Sequence, residues 1–463
     1  MFHVLLLVAA LDASLPSPAP SSAPSPTASP AQPTRRALPA PLNPLFDGGG
    51  GAEFPGPTIG VPVDTGFRVY GWLDAGIEES TSHSSNYPLT YDDVPNRVEM
   101  DQAVLRFDKL PDTTQTDHFD WGFRLTGLYG VDYRWTTMEG VLSNQLLLRN
   151  QTNGFDPVEA YGVVYLPHLG QGTTVEIGRY ISPPDIEAQL APNNFLYTHS
   201  VFFDFDSYTQ AGFLFSTKLS NYWTIEYALD WGEDIAPWDG SAHFPTGMLL
   251  ARWVSHSNRD SVLFGQNSMS LGSPNGQNMT TYTNGSYVNA ATGQSTAMVW
   301  GHDNLQQSNA TWTHVFNPNL QNEFEVYYLY EYNAYVGGTI NNYNVATGGP
   351  VYLGAGGGPG AFLPGLSSAD GFVDYFEAVI SPKDFVSFRT DYMNDPRGER
   401  SGFATSYGSL TLGLSHKFSN VFMIRPELRT EKAFRPGVTP YDNGTKAYQN
   451  TFGMDAILNY GNP

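Results

Sequence analysis

Four charged side chains alternate along one segment near the C-terminus. Arg425, Glu427, Arg429 and Glu431 share a face of residues 422–432, with Ile424, Pro426, Leu428 and Thr430 on the other. Residues two apart point the same way in a strand, so the four form a ladder of alternating sign. Such a ladder can pair along and across strands, and it can also present fixed charge to a passing solute; the spacing leaves both roles open. Pro426 lacks the amide proton that a strand ladder uses, which predicts a bulge or kink there. Arg68, Asp74, Arg124, Asp132, Glu226, Asp230, Glu323 and Glu325 stand in the same relation to apolar neighbours in other alternating segments.

Catalytic chemistry finds little footing. The ten histidines are scattered, and HExxH, GxSxG and GxxxxGK[ST] are all missing. His199-Ser200 is the best start for a nucleophile and base, but no third member follows from spacing, and the reading is non-enzymatic. With no cysteine, disulfides, thiol catalysis, cysteine-ligated zinc and iron–sulfur clusters are excluded. Asp92-Asp93 and Asp204-Phe-Asp206 lack EF-hand spacing and read as solvated loop acids. No metal or cofactor is expected.

Lys and Arg number 23 against 45 Asp and Glu, a formal charge of -22, which argues against a nucleic-acid partner. Charged residues make up only 15% of the chain and aromatic residues 14%. A soluble domain carries about 25% charged residues, so something other than a charged skin meets the surroundings. No apolar run approaches the roughly 20 residues a membrane helix needs. Any membrane crossing must use strands closed into a barrel, because lipid satisfies no backbone polar group.

The elements that would position these side chains have the required period of two. Phe67, Val69, Gly71, Leu73, Ala75 and Ile77 alternate with Arg68, Tyr70, Trp72, Asp74, Gly76 and Glu78. In 222–231 the apolar face reads Trp223, Ile225, Tyr227, Leu229, Trp231, with aromatic residues at both ends and aliphatic ones between. That is the arrangement of a bilayer-crossing strand with an aromatic girdle at each interface. Phe324 to Tyr332 and Leu410 to Leu414 repeat it opposite Glu323, Glu325, Glu331 and opposite Ser409, Thr411, Ser415.

Segments of this kind begin near 67, 98, 119, 158, 173, 209, 222, 247, 260, 309, 321, 371, 385, 407, 421 and 448. The predicted fold is all-β, a transmembrane antiparallel β-barrel of about 16 strands, with 14 to 18 compatible; the segments near 158, 173, 260 and 371 alternate poorly. Lys218-Leu-Ser-Asn221 and His416–Asn420 are tight connections suited to the periplasmic side. The Ser/Asn/Gly/Thr tract 267–295 and the Gly-rich tract 337–371 suit loops on the other side. Residues 181–200 do not alternate. Asp185 to Leu190 could form a short helix opened by Pro183 and Pro184. The stretch is expected either to fold into the lumen as a constriction, with Asp185, Glu187, Asn194 and His199 facing the path, or to lie on the surface.

At the N-terminus, residues 1–13 read as a signal peptide and residues 14–64 as a Pro/Ala/Gly-rich disordered spacer, leaving 65–463 for the barrel. The last segment ends in Tyr460, an aromatic-terminated amphipathic strand of the kind that barrel assembly machinery reads.

Taken in order, a series of short tags resembles the OmpL-like family of β-barrel outer-membrane porins. They are Gly71-Trp-Leu-Asp74, Asp101-Gln-Ala-Val-Leu105, Asp120-Trp-Gly-Phe-Arg124, Tyr129-Gly-Val-Asp132 and Val158-Glu-Ala-Tyr161 with Leu166-Pro167. Ile177-Gly-Arg-Tyr180, Ala191-Pro-Asn-Asn194, Tyr197-Thr-His-Ser200, Asp391-Tyr392, Thr411-Leu-Gly-Leu414 and Arg425-Pro-Glu-Leu-Arg429 follow. Pro183-Pro184 and the long spacer depart from the family pattern. The resemblance implies a bacterial outer-membrane porin passing small hydrophilic solutes or ions by passive diffusion. The acidic excess adds a mild cation preference. The alternative is a plugged structural or adhesive barrel acting through its loops or spacer. Outer-membrane lipid, the solutes and the assembly machinery are the expected partners; no oligomeric state is legible.

Overall fold

A computed structural model describes residues 59–461 except 90, 148, 150, 183–185, 206–208, 240–244, 271–279, 284–285, 290–304, 333, 335–342, 345–348 and 351–362. The expected signal peptide and most of the spacer lie outside the described residues, as does most of the tract 337–371.

Sixteen strands close into one antiparallel barrel. The first eight are β1 (Arg68–Ser80), β2 (Val98–Lys109), β3 (Asp120–Gly130), β4 (Gly154–Leu166), β5 (Thr173–Ile181), β6 (Thr209–Lys218), β7 (Trp223–Glu233) and β8 (Thr246–Val254). The second eight are β9 (Asp260–Ser270), β10 (Gln306–Asn317), β11 (Leu320–Tyr332), β12 (Leu366–Ser381), β13 (Asp384–Asp395), β14 (Thr405–Lys417), β15 (Phe422–Ala433) and β16 (Tyr448–Gly461). Each strand pairs with its sequence neighbours, and β1 pairs with β16 from Tyr70↔Gly461 to Ser80↔Thr451. Closure removes both sheet edges, so every strand can satisfy its backbone within the wall.

The period-two faces fall as expected. Leu410, Leu412 and Leu414 on β14 and Leu428 on β15 are exposed on the outside, while Ser409, Thr411, Arg425 and Glu427 are buried on the inside. Segments that alternate poorly are strands as well, and at β4 and β9 bulges explain the poor pattern. Between β3 and β4 the register shifts at Thr126/Leu128, so the adjacent Val158 and Glu159 are both buried. The extra residue reverses the phase of the alternation.

Four expectations need correction. Residues 366–371, the end of the tract read as a loop, belong to β12. Asn267–Ser270 belong to β9 rather than to a loop; register shifts at Gly247/Leu249 and Gln307/Ser308 place Asn267 and Ser268 both inside, where polar side chains suit the interior. Pro426 causes no bulge, since its pairing with Met454 lies in an unbroken register from Phe422↔Leu458 to Lys432↔Tyr448. Its missing donor faces β14, where paired residues resume in the same register at His416↔Ile424. Residues 186–190 are not helical; a single 3-10 turn spans Ala191–Asn193 instead. Partners on the barrel wall, described next, hold this stretch in a series of bends.

Candidate functional site

The connection between β5 and β6 folds into the barrel. From Ile186 to Asp204 every residue except Ala188 and Asn193 is buried. A backbone taken from water must find partners, and here the strand interior supplies them. Arg425 donates to the carbonyls of Ala191 (2.8 Å) and Asn194 (2.7 Å) while its Nε meets Asp455 at 3.0 Å. Glu427 accepts from the Tyr197 amide at 2.9 Å, the Thr198 amide at 3.2 Å and the Thr198 hydroxyl. Arg429 donates to the His199 carbonyl and pairs with Glu431.

On β13, Arg389 reaches the Thr198 carbonyl, the Thr411 hydroxyl at 3.1 Å and Glu187 at 3.2 Å, and Asp391 accepts from the Val201 amide at 3.1 Å. Strands to either side join in. Glu325 on β11 accepts from the Ile186 amide at 3.0 Å, the Tyr327 hydroxyl donates to the Phe202 carbonyl at 2.9 Å, and Gln102 on β2 accepts from the Ala191 amide at 3.0 Å. A guanidinium offers several donors in one plane, which is why three arginines suffice to take up four loop carbonyls.

Apolar packing accompanies these bonds. Ile186, Leu196, Val201, Phe202 and Phe203 of the loop join one cluster with Tyr161 of β4, Leu214 of β6, Val373 of β12 and Met393 of β13, together with Tyr87 and Tyr91 from the β1–β2 loop. The inward fold is thus clamped by polar bonds and sealed by aliphatic and aromatic side chains.

The loop residues singled out from sequence have specific places. Glu187 accepts from the Tyr375 hydroxyl at 2.6 Å and from Ser200. Asn194 bridges the loop to itself, accepting from the Ala188 amide at 2.7 Å. The His199 ring lies between Tyr91 and Phe203, with centroids 4.2 and 4.6 Å away, and its Nε2 is 2.8 Å from the Ala188 carbonyl. Burial pushes its pKa down to about 3, so the ring is neutral at ordinary pH. His199 and Ser200 serve different partners, the first the Ala188 carbonyl and the second Glu187. Asp185 lies outside the described residues.

The strand candidates all turn inward, in several environments. Arg68 and Arg124 share Asp108, at 2.8 and 3.1 Å. Asp74 is buried on β1. Glu226 and Asp230 are buried on β7, the latter accepting from the Tyr180 hydroxyl at 2.7 Å. Glu323 accepts from Gln321 at 2.9 Å. Asp132 sits past the end of β3, where it caps the turn Tyr133–Thr136 in position and accepts from Gln102 at 2.8 Å. Asp92, Asp93 and Asp204, expected to be solvated, are buried; Asp93 pairs with Arg134, because the loop after β1 also folds inward.

The Arg425–Glu431 ladder was legible, but Arg389 and Asp391 were not singled out. Their signal was the alternation Phe385, Ser387, Arg389, Asp391, the same pattern read elsewhere. Glu176 on β5 was missed for the same reason; it is buried with neither carboxylate oxygen hydrogen-bonded.

Residues 66–460 match the family described as "Putative beta-barrel porin-2, OmpL-like". The chain belongs to this family. Its fold is similar to that of the anion-selective porin from Comamonas acidovorans, at 9% identity, a TM-score of 0.51 and coverage of 85% of this chain and 99% of that one. The outer membrane channel DcaP of Acinetobacter baumannii gives 9% identity, a TM-score of 0.47 and coverage of 87% and 100%. A loop L8 deletion mutant of OmpT from Vibrio cholerae gives 8%, 0.47, 85% and 99%. Among curated protein sequences none matches significantly.

As an OmpL-like porin, the protein is an outer-membrane barrel of the bacterial envelope. Its outward aliphatic face meets lipid, and most of the charged side chains on its strands are buried on the inner face.

Proposed function

We propose that this porin passes small hydrophilic solutes or ions by passive diffusion through the barrel, with a mild preference for cations. The carrying observation is the closed sixteen-strand wall whose inner face is polar and charged on nearly every strand. Selection works by size at the inward loop and by the sign of fixed charge around it. The arginines of β13 and β15 are paired with carboxylates or loop carbonyls, whereas Glu176 on the facing wall has neither carboxylate oxygen hydrogen-bonded. The net charge of -22 supports the negative sign.

Single-channel recording in a planar bilayer tests this directly. Stable ohmic steps with a reversal potential on the cation side of a salt gradient are expected; an anion-side potential would reject the selectivity. One observation favours a second reading. The apolar cluster joining the loop to opposite walls suits a plugged barrel, which would act through its loops or N-terminal spacer. A folded, heat-resistant barrel that inserts and carries no current would establish that reading instead.

A further inference from the structure

Two connections enter the barrel from the long-loop end, and they are held differently. The β5–β6 connection is fastened to the wall by Arg389, Arg425, Glu427 and Arg429. The β1–β2 connection, residues 81–97, is as deeply sunk at 85–89 and 91–93, yet its bonds run chiefly to other loops. Asp442, between β15 and β16, accepts from the His83 and Ser84 amides at 2.9 and 2.8 Å. The Tyr87 hydroxyl donates at 3.0 Å to the carbonyl of Ser401, between β13 and β14. Asp93 pairs with Arg134, between β3 and β4. Gln449, the second residue of β16, adds a contact at the rim of the wall, accepting from the Ser82 hydroxyl at 2.7 Å and donating to the Asn86 carbonyl at 2.8 Å.

Inside the barrel this connection rests on the other one. The Tyr91 ring lies 4.2 Å from that of His199, 6.0 Å from that of Phe203 and 5.9 Å from that of Trp135. Beside it, Asp92 enters a nest of like charge, facing Glu78 of β1, Asp101 of β2, Asp132 and Glu427 of β15, with the Tyr197 hydroxyl as a donor. Burial first, and then Glu78, push its carboxyl well above the usual range. An acid held among acids in a dry site opposes the position it occupies, so partners on neighbouring loops seat the connection against its own charge. Segments that move in channels and enzymes are those with few bonds to the rigid frame. We propose that residues 81–97 form a lid over the inward loop, closing the outer mouth and swinging clear to admit solute, with Tyr91 and the Asp93–Arg134 pair as its latch. Such a lid rests on the channel reading and adds to it a second element that decides entry.

The chain has no cysteine, so introduced thiols report alone. Thr451 shares the inner face of β16 with Gln449, two residues along, and is buried. In intact cells, Thr451→Cys is expected to react slowly with an added cationic methanethiosulfonate, and at least about tenfold faster when combined with Tyr91→Ala and Asp93→Asn. Equal rates in two folded, heat-modifiable barrels would overturn the lid. A second variant leaves the latch intact. Ser84→Cys with Asp442→Cys places thiols on two loop positions that are in contact and reachable from outside, where a reducible bifunctional methanethiosulfonate can bridge them. Single-channel current is expected to fall close to baseline on bridging and to return with reductant; complete bridging with undiminished current overturns the proposal. A barrel that carries no current in any state, yet labels faster in the Tyr91→Ala, Asp93→Asn background, keeps the lid and rejects the channel.

Discussion

Two sides of the barrel interior use charge differently. On β13 and β15, Arg389, Arg425 and Arg429 reach across to backbone carbonyls of the inward loop and hold carboxylates at the same time. On β5 and β7, Glu176 and Glu226 are equally buried, the first with neither carboxylate oxygen hydrogen-bonded and the second opposite Ser216. The same residue classes, alternating in the same way, thus build a clamp on one side and a set of buried acids that hold no loop backbone on the other. Removing charge from the first should unfasten the loop; removing it from the second should change which ions pass.

Arg389→Ala tests the clamp hardest. It leaves Glu187 and Asp391 buried without their guanidinium, a loss of about 3–5 kcal/mol for a buried pair with one member removed. A lowered denaturant midpoint and noisier, larger single-channel steps are expected; an unchanged midpoint would mean that the arginine is dispensable to the loop. Glu427→Gln should cost less, about 1–3 kcal/mol, because the amide still offers an acceptor to Tyr197 and Thr198. A thermal melt as damaged as that of Arg389→Ala would show that charge rather than hydrogen bonding dominates there.

On the other side, Glu176→Gln combined with Glu226→Gln should move the reversal potential towards anions without loss of stability, since two desolvated carboxylates become neutral. Lower stability with unchanged selectivity would erase the distinction between the two sides. The smallest effect concerns His199. Its folded pKa of about 3 lies below the unfolded value of roughly 6.5, so the unfolded chain binds the extra proton between these limits. The His199 contribution therefore lowers stability as pH falls from 6.5 towards 3, by roughly 1 kcal/mol near pH 6. His199→Gln, which can still donate to the Ala188 carbonyl, should flatten that part of the pH profile; an identical slope would place the titration elsewhere.

Much of this was readable in advance. All sixteen strands start close to the positions given by period-two alternation, and the Arg425–Glu431 ladder faces inward as its spacing requires. A strand's faces follow from local geometry alone. The places where reading failed are those where geometry ceased to be local. At Val158–Glu159 and Asn267–Ser268, a bulge set by the neighbouring strand shifts the phase. At 186–190, the helix expected from two prolines yields to contacts such as that between Glu325 and the Ile186 amide, 139 residues apart. Asp92 and Asp93 looked like solvated acids because nothing nearby in sequence announces that their loop folds inward.

The sequence by itself determined a wall: which segments are strands, which side of each is apolar, and therefore an all-β membrane barrel of about sixteen staves. Only the tertiary structure decided what the interior charges do. Arg425 and Glu226 are indistinguishable as inward-facing ions on their own strands. Closing the barrel placed one beside loop carbonyls and Asp455 and left the other opposite the Ser216 hydroxyl of the next strand, because pairing in a buried site depends on groups brought within about 3 Å by elements far apart in the chain.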